Sequence, residues 1–105
     1  MTTNVIVRLR FEGLHYWPEA DGHVAFLSHP HRHEFHATCK KQVAHADREI
    51  EIITLKRSIL RFLATFNGNF GRMSCEEIAG DLVTKFGLCY CSVLEDGENG
   101  AEVVA

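Results

Sequence analysis

From Asn4 to Phe11 the chain alternates. Val5, Val7, Leu9 and Phe11 fall on one side, and Asn4, Ile6, Arg8 and Arg10 on the other. A repeat of two is that of a strand with one buried face. Further on the period lengthens: Leu55, Ile59, Phe62, Leu63 and Phe66 are spaced as one face of a helix, with Lys56, Arg57 and Arg61 outside. A second helical stretch follows, and the period then returns to two. The order strand, strand, helix, helix, strand, strand predicts an α+β domain: an antiparallel four-stranded sheet with both helices on one face.

Local signals set the boundaries. Gly13, Pro18 and Gly22 mark residues 12–28 as a long loop, with a short extended piece at HVAFL (23–27). Residues 31–43 read as extended and AHAD (44–47) as a turn. REIEII (48–53) reads as further strand, with Ile50 and Ile52 on one face, before the helical period takes over from about Ile53. NGNFG (67–71) ends the first helix. SCEE (74–77) is a capping box, with Ser74 as N-cap and Glu77 three residues on. Ile78, Leu82, Val83 and Phe86 form the second helix's apolar stripe, and Gly87 stops it. LCYCSVLE (88–95), DGENG (96–100) and AEVVA (101–105) read as strand, turn and final strand.

With 105 residues, 46% hydrophobic and 24% charged, the chain can pack one domain over 1–105. So small a domain has a large surface for its volume, and self-association would help it. The net charge of −3 argues against nucleic acid as a main partner. No stretch approaches the roughly 18 apolar residues of a membrane span. The N-terminus alternates like a strand and lacks the layout of a signal peptide, so the expected location is cytoplasmic and Cys39, Cys75, Cys89 and Cys91 are expected to stay reduced.

Chemistry concentrates in HPHRHEFH (29–36), which holds four of the seven histidines. Residues two apart on a strand share a face, roughly 7 Å apart along it. His31 and His33 therefore point the same way and can chelate one Zn²⁺ at about 2.0–2.1 Å per Zn–N bond. His36 faces the other side. A catalytic zinc site takes three protein ligands and keeps one position open. His15, just past the first strand, is the best third ligand, with His29 and His23 as spares. Without metal the same cluster would be solvated imidazoles titrating near pH 6.5.

Several segments resemble the family of 6-pyruvoyl-tetrahydropterin synthase and 6-carboxy-tetrahydropterin synthase. HRHEF (31–35) resembles its H-G-H-x-[FY] motif, with Arg32 in place of Gly. FEGLH (11–15) is similar to its first-strand segment ending in a zinc histidine. REIEIITLK (48–56), MSCEEIA (73–79) and SVLED (92–96) resemble its later motifs, in the family's order. The resemblance implies a T-fold, or tunnelling fold, in which strands of several subunits join into a barrel with sites at subunit boundaries, a homo-oligomer built on trimers and extending to hexamers. It implies Zn²⁺ on His15, His31 and His33. It also implies a pterin or purine-like ring anchored by Glu95, with Ser74, Cys75 and Glu76 along the ring edge.

The chain departs from the family in its proton-transfer parts. Leu27 stands where the family carries a cysteine, and FLATFNGNFGRM (62–73) has no counterpart of its Asp-His pair. His29 is the substitute acid–base candidate, with His23, His45 and Asp47 behind it. Arg8, Arg10 and Arg32 are candidates for a ligand phosphate. Cys89 and Cys91 read as a strand pair on one face, more in keeping with buried thiols than with a second metal site. The expected activity is a zinc-dependent carbon–oxygen lyase acting on a reduced pterin or a deazaguanine-pathway relative. The alternatives are a non-catalytic module that binds such a ring, and a structural subunit whose histidines never bind metal.

Overall fold

In the computed structural model, which describes residues 1–105, β1 (Thr3–His15) and β2 (His31–Val43) pair antiparallel along their whole length, from Thr3 against Val43 to His15 against His31. The alternation foreseen for Asn4 to Phe11 continues through Gly13 to His15, which shortens the expected loop. Within that loop Gly22–Ser28 is a 3-10 helix, not an extended piece. Its apolar residues are not buried, so no sheet neighbour draws them straight, and bonds such as Val24 N–H to the Asp21 carbonyl close the turns instead.

α1 (Ile52–Ala64) begins where REIEII was expected to run on as strand. Glu51 overrides the alternation. Its carboxylate accepts from the backbone N–H groups of Ile53 and Thr54 at 2.7 and 2.9 Å, capping the helix. α2 (Cys75–Phe86) has the foreseen ends: a reciprocal capping box between Ser74 and Glu77, and Gly87 at φ 62°. β4 (Tyr90–Glu95) and β5 (Asn99–Val104) follow as an antiparallel hairpin.

The sheet has five strands rather than four; with the short strand at 69–71 labelled β3, their order is β3-β1-β2-β4-β5. The unforeseen one, β3 (Asn69–Gly71), lies parallel to β1 at Leu14 and His15. Three residues are too few to show a period. The sheet is therefore open and mostly antiparallel, with β3 and β5 at its edges.

Both helices pack on the same face. Val7, Leu9, Phe35, Ala37, Cys39, Cys91 and Val93 of the sheet meet Leu55, Ile59 and Leu63 of α1 and Ile78, Ala79 and Leu82 of α2 in one core. Ile59, Ile78 and Leu82 are fully enclosed, each worth about 1.5–3 kcal/mol of apolar burial. Ile6, Leu14 and Val104 lie exposed on the opposite face. The cysteine pair is not Cys89 with Cys91: Cys91 faces Cys39 across β2 and β4, with sulfurs 3.7 Å apart, while Cys89 precedes β4 and bonds the Lys40 carbonyl. That contact and burial push the Cys91 thiol well above its ordinary range. No helix is long and apolar enough to cross a membrane.

Candidate metal centre

The β1–β2 register places His15 directly opposite His31 and Gly13 opposite His33. All four lie on the face that carries the core, one step beyond Phe35. The imidazole centroids of His15, His31 and His33 are 4.6 to 5.3 Å apart, and their candidate ligand atoms all lie within 4.8 Å of one another. The Phe35 ring meets His15 and His33 edge-on at 5.3 and 5.7 Å, giving the cluster an apolar floor.

Hydrogen bonds orient each ring. His15 Nδ1 bonds the Met73 carbonyl at 2.9 Å, His31 Nδ1 the His29 carbonyl at 2.8 Å, and His33 Nδ1 the Asp96 carboxylate at 2.7 Å. Carbonyl and carboxylate oxygens only accept, so each Nδ1 carries the proton and each neutral ring keeps its lone pair on Nε2. The Nε2 atoms of His15 and His33 are buried without a hydrogen-bond partner. Imidazoles whose Nδ1 is bound to a backbone or carboxylate acceptor are oriented as metal-ligating histidines commonly are, with Nε2 left for the ion. The residues thus stand close enough to hold a metal ion.

Asp96 is itself held firmly. It sits at φ 55° in the β4–β5 turn, its second oxygen accepts the Glu34 N–H at 3.0 Å, and its own N–H bonds the Glu34 carbonyl. The hydrogen bond from His33, then that from Glu34, hold its carboxyl below the usual aspartate range.

Glu95, the last residue of β4, reaches the cluster from the next strand. Its carboxylate oxygens lie 3.0 Å from His15 Nε2 and 3.5 Å from His33 Nε2, and the Cys75 thiol approaches it at 3.8 Å. Burial, then the Glu95 charge, pushes the Cys75 thiol up to about 12. A cleft of about 570 Å³ opens beside this group, lined by His15, His31, Glu95, Cys75, Trp17 and Leu27 among others. That volume suits a small heterocyclic ligand.

Ser74 and Glu76 also line the cleft. The His29 side chain is exposed and does not line it; His29 serves the cluster through its carbonyl. His23 is exposed. His45 and Asp47 lie past the far end of β2, about 40 Å of strand from His31. His36 turns to the other face, where it meets Glu34 at 3.0 Å. Arg8, Arg10 and Arg32 are exposed on that same face, away from the cleft, and Arg32 is paired with Glu12.

Sequence reasoning missed four contributors: Asp96, the Met73 carbonyl, Trp17 and Arg72, the last two in the cleft wall. Only Asp96 left a readable trace, as a carboxylate next to Glu95 at the mouth of a turn. Compared with models of known protein families and with curated proteins, the chain matches none.

Proposed function

We propose that the protein is a zinc-dependent enzyme of the tetrahydropterin synthase type. It would act on a reduced pterin or a related deazaguanine-pathway ring by proton transfer and carbon–oxygen bond cleavage. The observation that carries this is a set of three imidazoles whose candidate ligand atoms lie within 4.8 Å of one another, beside a heterocycle-sized cleft that two of them, His15 and His31, line. Three imidazole nitrogens with room for one further ligand would suit Zn²⁺. A zinc ion held there supplies Lewis acidity toward an oxygen of the substrate.

The protein's own groups would bind and orient the ring. An ionised carboxylate such as Glu95 accepts two parallel N–H bonds from an aminopyrimidinone edge. Ser74, Cys75 and Glu76, at the start of α2, would border that edge. Cys75 keeps its proton and would border the ring as a neutral thiol. His29, assigned the base role, would have to swing in from outside the cleft. The open sheet edges would pair with other subunits in a trimer-based homo-oligomer, in the cytoplasm.

A second reading, a module that binds such a ring without turning it over, is favoured by Leu27, which lines the cleft where the resembling enzymes carry cysteine. Metal analysis of protein purified without chelators tests the centre: about one zinc per chain is expected, and none refutes it. Titration of pterins and guanine-like ligands against wild type and Glu95→Gln tests the ring site, with equal affinities removing Glu95 from it. Turnover of a bound pterin separates enzyme from module, and light scattering that finds only monomers refutes the assembly.

A further inference from the structure

The position of Glu95 does not suit a residue that only anchors a ring. Its carboxylate faces two imidazole nitrogens whose lone pairs are directed into the same space. His15 Nε2 is 3.0 Å from one oxygen and His33 Nε2 is 3.5 Å from the other. A lone pair against a carboxylate oxygen at that range is repulsive unless a positive charge lies between them. A proton would turn the contact into a hydrogen bond, yet neither nitrogen makes one. A metal ion requires no such alignment of nitrogen with oxygen, because each ligand points at the ion instead.

The distances agree with that geometry. In a tetrahedral site with bonds of about 2.0–2.1 Å, neighbouring ligand atoms are about 3.3–3.4 Å apart. The two observed separations, 3.0 and 3.5 Å, bracket that edge length. Glu95 is also fixed for the task. It lies opposite Phe35 in the β2–β4 register, and the residue after it, Asp96, is pinned to both His33 and Glu34. One turn therefore delivers a carboxylate to each side of His33.

We infer that Glu95 is the fourth ligand of a divalent ion held by His15, His31 and His33. This rests on the metal centre proposed above and changes how that centre would work. With Glu95 bound, the resting site is closed to water and small anions. A ring that engages Glu95 must take the carboxylate from the ion, so ring binding and opening of the coordination position become one event. His15, His31 and Glu95 all line the cleft, so that exchange would face the incoming ligand.

Co²⁺ substitution tests this without any pterin. The visible spectrum of the Co²⁺-loaded wild type is expected to stay unchanged when azide is added, because the fourth position is filled. In Glu95→Ala the position is free, so azide should shift the spectrum, and Co²⁺ affinity should fall at least about 100-fold, beyond the 10–100-fold loss typical of outer partners. A wild type that takes azide as readily as the variant overturns the inference, as does an unchanged affinity in the variant. A sulfur-to-cobalt charge-transfer band in the wild type also overturns it, because Cys75 would then hold the position. The wild-type azide measurement decides the matter even if Glu95→Ala does not fold. Failure of the wild type to bind Co²⁺ at all is a different result, and it would remove the metal centre itself.

Discussion

Gly13→Ala should destabilise the fold, although adding a methyl group to a strand usually helps. Gly13 is buried on the core face of β1, opposite His33. A Cβ there would meet Phe70 Cδ2 and Cε2 at 2.4 and 2.5 Å, and Phe35 Cε2 at 3.3 Å. Ordinary contact is about 3.5–4.0 Å, so the Phe70 ring must retreat by about 1 Å. It has little room to do so. It is 4% exposed, stacks on Phe66 at 4.8 Å and packs on Phe11 and Phe35 at 5.5 and 5.9 Å. Overpacking of this kind costs about 1–3 kcal/mol. Loss of glycine's freedom in the unfolded chain returns about 0.4–1 kcal/mol. Taking the middle of each range, about 2 less about 0.7, leaves a net cost of about 1.3 kcal/mol, which lowers Tm by about 5–10 °C in a domain of this size. Circular dichroism melts of the metal-free protein measure it. The double variant Gly13→Ala/Phe70→Leu should recover part of the loss by making space. An unchanged or raised Tm in the single variant, or a double variant whose losses simply add, would refute the reasoning.

Four further outcomes follow from the site and the helix caps. Asp96→Asn keeps the turn, because Asn tolerates positive φ, but removes the charge behind His33; zinc affinity should fall about 10-fold by chelator competition. His31→Ala should abolish metal binding in the same assay, whereas His36→Ala, on the other face, should leave it within twofold. In metal-free protein Cys75 should alkylate far more slowly at pH 8 than the half-exposed Cys89, read by peptide mass spectrometry, because burial and Glu95 keep it as a thiol. Acid should destabilise the fold below about pH 4.5. Glu19, Glu51 and Asp96 are depressed by their hydrogen bonds, so their contribution is complete above the ordinary carboxylate value and is lost as pH falls through the lowered ones. Glu51→Gln should flatten that acid slope in urea titrations.

The sequence by itself determined what depends on near neighbours in the chain. The repeat of two in β1 marked a buried and an open face, and the helical spacing of Leu55, Ile59 and Leu63 marked the core side of α1. Ser74 and Glu77 close their capping box three residues apart, and Gly87 needs only its own φ, so both ends of α2 were legible. The shared face of His31 and His33 follows from the pleat alone. Tertiary structure decided everything that needs two distant segments at once. Only the β1–β2 register brings His15 to His31, and only the β2–β4 register and the turn after it bring Glu95 and Asp96 to His33. β3, too short to carry a period, became a strand because Leu14 and His15 offered it an edge. Glu51 left the expected strand because capping α1 satisfies two N–H groups that alternation cannot. Periodicity records which way a side chain faces, and the converging lone pairs depend on what faces it from the next strand.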